Sequence, residues 1–273
     1  MANARALASP VVTPAKRSPT AHRDGRGAGE VQFWVRSSTL TPIGWYHLLF
    51  FGVVIPLAAI RSKKRIGDRP LPTRRRHFIG TTVTLWLLTA LSLWTAWAQA
   101  IDLFPARLPT PSGVAAGAVM LVVAIAFMRP RWRKAVERRT RIVQLFMPRD
   151  RTERMLWVLV AASAGFCEEI TWRGVQPTLL AMVIGHPVVA AALVAVTFGI
   201  GHMLQGWRSA AIIVVFAASF QTVVWLSGSL YVAMAVHFIY DVVAGVTYGR
   251  LGEELGYPIE GVTPPDAPAP VPV

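Results

Sequence analysis

Two adjacent glutamates and an arginine stand in the stretch Cys167-Glu168-Glu169-Ile170-Thr171-Trp172-Arg173. The apolar runs Met155–Phe166 and Val175–Ile184 flank this stretch, so the whole segment has the length and composition of a membrane-spanning helix. Charged side chains at membrane depth are costly, and they usually face the interior of a bundle, where they find partners. The stretch therefore predicts a functional site and directs attention to the polar residues of the other apolar segments.

The composition indicates a membrane protein. Of the 273 residues, 53% are hydrophobic, and the mean hydropathy of +0.45 is too high for an ordinary soluble domain. A net charge of +14 would suggest nucleic acid in a soluble protein. Here the basic residues lie beside apolar segments, where membrane topology and anionic lipid explain them better. We therefore expect membrane lipid, and no nucleic acid, as a partner. The single cysteine, Cys167, excludes an intrachain disulfide, and we expect it to be a small buried filler.

Seven apolar segments are candidates for membrane helices. They predict an all-α fold, a polytopic integral membrane bundle of six to seven transmembrane helices. The first segment is short enough to be re-entrant or interfacial, in which case six helices cross, and the third is also short. The segments are Ile43–Ile60, Phe78–Ile101, Gly113–Met128, Met155–Ile184, Val188–Leu204, Ser209–Leu226 and Leu230–Tyr248.

The same pattern divides the chain into four regions. We expect a disordered basic tail at 1–40, an N-terminal transmembrane region at 41–154, a catalytic transmembrane core at 155–250 and a flexible tail at 251–273. The second region contains two strongly basic loops, which the distribution of Lys and Arg places in the cytoplasm. The N-terminal tail then lies outside if seven helices cross, and inside if six cross.

Two later apolar segments carry polar residues that could be partners of the glutamates. Phe198-x-x-x-His202 places an imidazole near the end of the fifth segment, and His237-x-x-x-Asp241 adds an imidazole and a carboxylate on the seventh. His237 and Asp241 project together, because residues four apart share a face of a helix.

The same spacing applies to Glu169 and Arg173, which we expect to form an ion pair that offsets the burial of both. Glu168 lies about 100° away around an ideal helix, so the two glutamates cannot face one point unless the helix is distorted. We expect Glu168 to face a cavity that the histidines line.

This set of residues suits the activation of water for hydrolysis of a peptide bond. Glu168 is the candidate general base, His202 could orient the water, and His237 with Asp241 could bind the oxyanion. A second mechanism uses the same four residues as ligands of a divalent metal such as zinc, and the sequence leaves the choice open. We expect no part in catalysis for the remaining histidines, which lie in the tail, at an interface or in loops: His22, His47, His77 and His186.

The three motifs, in this order and each on an apolar run, resemble those of the CPBP family of intramembrane proteases. That family includes the type II CAAX prenyl endopeptidases and the Abi group of bacteriocin-processing or immunity proteins. The resemblance covers about residues 155–248 and implies a hydrolase in which Glu168 activates water with the help of His202. It implies oxyanion stabilisation or metal binding for His237 and Asp241. Members of the family often carry Asn at the position of Asp241. Members are described as metalloproteases, and a metal-free mechanism that depends on glutamate has also been argued.

The first hypothesis is therefore a membrane protease: an endopeptidase of the cell membrane that cleaves peptide or protein substrates presented at the bilayer. The alternative is a non-enzymatic membrane immunity or scaffold protein that keeps the polar residues for packing or partner binding. A transporter with an ionisable relay is a third possibility, although no inverted repeat supports it.

Overall fold

The computed structural model describes residues 39–66, 71–106, 108–139 and 141–257, and the regular structure in these ranges is helical, without a strand. The predicted all-α fold is confirmed. Nearly all of the predicted N-terminal tail and most of the C-terminal tail lie outside the described residues. The helices are α1 Pro42–Leu49, α2 Ile55–Ile66, α3 Arg74–Gln99, α4 Pro111–Glu137, α5 Arg151–Glu169, α6 Gln176–Ile184, α7 Pro187–Gly201, α8 Trp207–Ser227 and α9 Leu230–Glu254.

Two pairs of consecutive helices are each joined into one continuous helical segment by a turn of π-helix. Phe50–Val54 joins α1 to α2, and Ile170–Val175 joins α5 to α6. A π-helical turn inserts one residue into the α-helical repeat, and such turns are frequent at functional sites. The second turn begins directly after Glu169 and includes Arg173, so the distortion falls on the polar stretch itself.

Within the described ranges, six helical segments are long and apolar enough to cross a membrane, which confirms the prediction of six to seven transmembrane helices. α7 is apolar but has only 15 residues, a rise of about 22 Å against a hydrocarbon core of about 30 Å. The third span was expected to be short, and it is in fact part of a 27-residue helix. α4 continues through Pro130 and the basic residues that follow it. Likewise, α9 extends to Glu254, so the first residues of the predicted C-terminal tail are helical.

Ion pairs bring the two basic loops together at one end of the bundle. Arg74 binds Glu153 with a distance of 3.0 Å from Nε to Oε2, and Arg75 binds Asp150 at 2.7 Å. Asp150 also caps α5 by accepting a hydrogen bond from the backbone N–H of Glu153. The bond from this N–H and the bond from Arg75 hold the pKa of the Asp150 carboxyl below its ordinary value. That this end is cytoplasmic stays a prediction.

The segment α5–α6 is the central one. In its apolar window 61% of the residues are buried, against 17% to 33% in the other five candidate spans. α5 packs against α3 on one side and against α9 on the other. The polar stretch at the end of α5 therefore lies inside the bundle, and the more exposed apolar faces of the other helices are available to lipid.

The contact between α5 and α9 depends on a glycine. Trp157 of α5 lies over Gly245 of α9, where a Cβ atom would overlap the indole ring. The same indole N–H donates a hydrogen bond to the carbonyl of Asp241, with a distance of 2.8 Å from Nε1 to O. The glycine thus allows the close approach that holds the site-bearing part of α9 beside α5.

Gly245→Ala is expected to destabilise the protein, because the indole or the helix must move to admit the methyl group. Overpacking of this kind costs about 1–3 kcal/mol in the free energy of unfolding. Unfolding in detergent, followed by circular dichroism, measures the loss. The matched control is Gly80→Ala in α3, where a Cβ atom would meet nothing within 4 Å. Equal stability of the two variants would contradict the proposed contact.

Candidate active site

A cavity of about 190 Å³ lies beside the end of α5, and we name it the Glu168 cavity. Glu168 and His202 both line it, whereas His237 and Asp241, which were expected to share the site, are not among the lining residues. A molecule of liquid water takes up about 30 Å³, so the cavity has room for water and for part of a substrate. The lining residues are Phe51, Ile55, Leu85, Leu88, Thr89, Cys167, Glu168, Thr171, Trp172, Phe198, Gly201 and His202.

His202 is held at the C-terminal end of α7 by a local hydrogen bond. Its Nδ1 lies 2.9 Å from the carbonyl oxygen of Phe198, one turn earlier. Because a carbonyl oxygen only accepts, Nδ1 carries the proton and donates it. In the neutral imidazole Nε2 is then an acceptor, which suits it to orient a water molecule in the cavity.

His237 of α9 contacts both glutamates, one through each nitrogen of its ring. Nδ1 lies 2.8 Å from Oε1 of Glu169, which is a hydrogen bond, and Nε2 lies 3.9 Å from Oε2 of Glu168. Nε2 is also 3.5 Å from Oδ2 of Asp241. These last two distances exceed that of an ordinary hydrogen bond. The imidazole therefore has one fixed partner and two nearby carboxylates.

The expected ion pair between Glu169 and Arg173 is present. Nη1 of Arg173 lies 3.3 Å from Oε1 of Glu169, and both side chains are almost fully buried. The guanidinium also lies over the rings of Phe198 and Phe220, at 4.5 and 5.2 Å from their centroids. Such contacts add cation–π stabilisation. The sequence did not indicate that Glu169 also accepts a hydrogen bond from His237.

The four residues predicted as possible metal ligands are not gathered into one cluster. Within the part of the chain that the structure describes, no group of three or more His, Cys, Asp or Glu side chains could hold a metal ion. Nδ1 of His202 and Nδ1 of His237 are each bonded to a protein oxygen, which leaves Nε2 of each ring as the only nitrogen that could ligate a metal. Glu168, His202, His237 and Asp241 do not form such a group in the observed arrangement. The metal site stays a prediction, and the mechanism below is derived from the side chains alone.

Sequence reasoning missed a buried hydrogen-bonded chain that reaches the cavity. His47 was expected to lie at the membrane interface without a role, whereas it is fully buried and bonded to Ser92 and Gln176. A histidine inside an apolar run that the sequence already offered as a membrane helix was the available signal. Its partners come from other helices and could not be identified from spacing.

Residues 151–243 match the model of the family described as type II CAAX prenyl endopeptidase Rce1-like. The match spans roughly a third of the chain and includes all three motifs, and it confirms the resemblance drawn from them. The chain matches no curated protein and no solved structure. The six apolar helices of the described residues and this match together support a multi-pass membrane protein, and the matched family is one of proteases.

Proposed function

Because residues 151–243 match the model of the Rce1-like family of type II CAAX prenyl endopeptidases, we propose that the protein is an intramembrane endopeptidase in which Glu168 activates water. The observation that carries the proposal is the Glu168 cavity, where a carboxylate and an imidazole face one space inside a membrane bundle. We place the protein in the cell membrane, with membrane lipid and a peptide or protein substrate as its partners.

Glu168 is the base in the first step. Its carboxylate takes a proton from a water molecule while the water oxygen attacks the carbonyl carbon of the scissile bond. Nε2 of His202 accepts a hydrogen bond from the same water and fixes its direction of attack. In the second step the protonated Glu168 gives its proton to the departing amide nitrogen, and the C–N bond breaks.

His237 and Asp241 are proposed to stabilise the oxyanion formed in the first step. Nε2 of His237 points into the gap between Glu168 and Asp241, and in a protonated imidazole it is a hydrogen-bond donor. Asp241 can donate a hydrogen bond to the oxyanion only when its carboxyl is protonated. The ionised carboxylate has no proton to donate and repels an oxyanion. Glu169 holds Nδ1 of His237 and thereby fixes the orientation of the ring.

The proposed substrate is a peptide held at the membrane, and a prenylated C-terminal CAAX peptide is the first candidate because of the family description. Part of the cavity wall comes from outside the matched residues. Ile55 of α2 and Leu85 and Leu88 of α3 contribute apolar surface. These side chains would favour an aliphatic side chain of the substrate near the scissile bond.

The proposal is tested with the full chain in proteoliposomes and two quenched fluorescent peptides. One carries a farnesylated cysteine before three C-terminal residues, and the other has the same sequence with a palmitoyl anchor at its N-terminus. We expect cleavage of at least one peptide. His202→Asn is expected to lower kcat by about 10²-fold, since loss of correct positioning can have this effect.

His186→Asn is the matched control for this experiment. His186 lies at the other end of α7, where its side chain caps the helix, and Asn is also a good N-cap. Its activity should equal that of the wild type. A folded wild-type protein that cleaves neither peptide would contradict the proposal and favour the immunity or scaffold role.

A further inference from the structure

Thr171 is a polar residue of the Glu168 cavity that the proposed mechanism does not use. It is the second residue of the π-helical turn and lies three positions after Glu168. Its Oγ1 lies 2.9 Å from Oγ of Ser92 on α3. The hydroxyl is therefore attached to a neighbouring helix and does not rotate freely.

This contact is the end of a longer chain of hydrogen bonds, which we name the His47 chain: Gln176, His47, Ser92 and Thr171. Oε1 of Gln176 lies 2.8 Å from Nδ1 of His47, and Nε2 of His47 lies 2.9 Å from Oγ of Ser92. All four residues are at most 2% exposed. Polar groups buried to this degree are costly unless bonded, so the chain is a specific feature of the fold.

The direction of the bonds follows from the donors and acceptors available. The amide nitrogen of Gln176 donates to the carbonyl of Leu48, so its oxygen faces His47 as an acceptor. Nδ1 of His47 must then donate, and Nε2 accepts the proton of the Ser92 hydroxyl. The carbonyl of Leu88, 3.3 Å from Oγ of Ser92, is a second and more distant acceptor for the same proton. Ser92 has no other proton, so its oxygen accepts from Thr171.

The consequence concerns what the cavity offers to a substrate. With its proton donated to Ser92, the Thr171 hydroxyl has only lone pairs left, and it can act only as an acceptor towards the cavity. An extended peptide that presents a carbonyl to Glu168 also presents N–H groups. In an apolar space such an N–H needs an acceptor, because an unpaired one is costly.

We propose that Thr171 is a substrate-binding residue that accepts a hydrogen bond from a backbone N–H of the peptide, and that His47 is a positioning residue acting through it. This inference rests on the proposed function. His47 and Ser92 lie outside the residues that the family model matches, so this part of the site is contributed by α1 and α3 of this chain.

The first test measures binding apart from chemistry. The Glu168→Gln protein, which should bind without cleaving, is titrated with whichever of the two anchored peptides the wild type cleaves. Thr171→Val in this background keeps the shape but has no acceptor, and it is expected to weaken binding by about three- to tenfold, the value of one hydrogen bond. Thr171→Ser should recover at least half of the lost affinity. Thr222→Val is the control, because Thr222 is exposed on α8 and its hydroxyl donates to the carbonyl of Ala218 in its own helix.

The second test separates positioning from general stability. With Glu168 intact, Thr171→Val should raise KM by the same factor and change kcat little, as expected for uniform binding. His47→Gln should also raise KM, but it should add nothing in the Thr171→Val background. If His47→Gln does not fold, Ser92→Ala replaces it, since Ser92 is the direct partner of Thr171.

Wild-type affinity and KM in Thr171→Val would overturn the inference and leave the proposed function intact. Additive effects of His47→Gln and Thr171→Val would overturn the role assigned to His47. A wild-type protein that neither binds nor cleaves the peptides, or a Glu168→Gln protein that still cleaves them, would overturn the proposed function and this inference with it.

Discussion

Glu168→Gln is expected to lower kcat for peptide hydrolysis by about 10³- to 10⁴-fold, at the upper end of what general base catalysis contributes. The amide has nearly the shape of the carboxylate, so the cavity keeps its volume. The amide cannot take a proton from water, however, so the first step of the proposed mechanism is lost. The measurement is the initial rate of cleavage of the anchored peptides in proteoliposomes.

The same variant is expected to unfold at nearly the wild-type temperature. The Glu168 side chain is 18% exposed, and Nε2 of His237 lies 3.9 Å from its Oε2, so little bonding is lost with the charge. Glu253→Gln on the exposed end of α9 is the control, and its activity should be unchanged. Substantial cleavage by the Glu168 variant would show that another group activates the water.

The two adjacent glutamates thus have opposite environments on one helix. Glu169 is fully buried and engaged by an arginine and a histidine. Glu168 faces a cavity and makes no direct hydrogen bond to the described part of the chain. A group that must accept and return a proton works best when it is not committed to a structural partner. A group that neutralises a buried arginine, in contrast, works best when it is held firmly by its partner. The geometry therefore supports different roles for the two residues.

Much of this arrangement could be predicted from the sequence because its causes are local. Apolar runs of sufficient length predict membrane helices in any context, and the four-residue spacing of Glu169 and Arg173 predicts their contact directly. The polar residues His202, His237 and Asp241 stand out because they interrupt apolar helices, where ionisable side chains are costly and usually functional.

The remaining features depend on contacts between distant segments. The helical repeat of 3.6 residues predicted that the two glutamates diverge, and it did not predict that one imidazole reaches both of them. Nor does composition mark the π-helical turn at Ile170–Val175, which depends on packing against other helices. The partners of His47 lie on α3 and at the start of α6, so no spacing rule connects them.

Glu169→Gln is expected to lower the free energy of unfolding by about 3–5 kcal/mol, the usual result of removing one partner of a buried ion pair. Arg173 is 2% exposed and would keep its charge inside the bundle without the carboxylate. The amide oxygen of Gln can still accept the hydrogen bond from His237, so the variant isolates the loss of charge. Reversible unfolding in mixed micelles measures the difference.

A matched control has the same spacing at the exposed end of another helix. Arg133 and Glu137 form an ion pair across four residues of α4, and both are half exposed. Glu137→Gln should therefore leave the unfolding transition where it is, since exposed pairs contribute little. The double variant Glu169→Gln with Arg173→Met should be more stable than Glu169→Gln alone, because it removes the uncompensated charge. If Glu169→Gln unfolds like the wild type, Glu169 does not neutralise Arg173. The division into a structural role for Glu169 and a catalytic role for Glu168 then has no energetic basis.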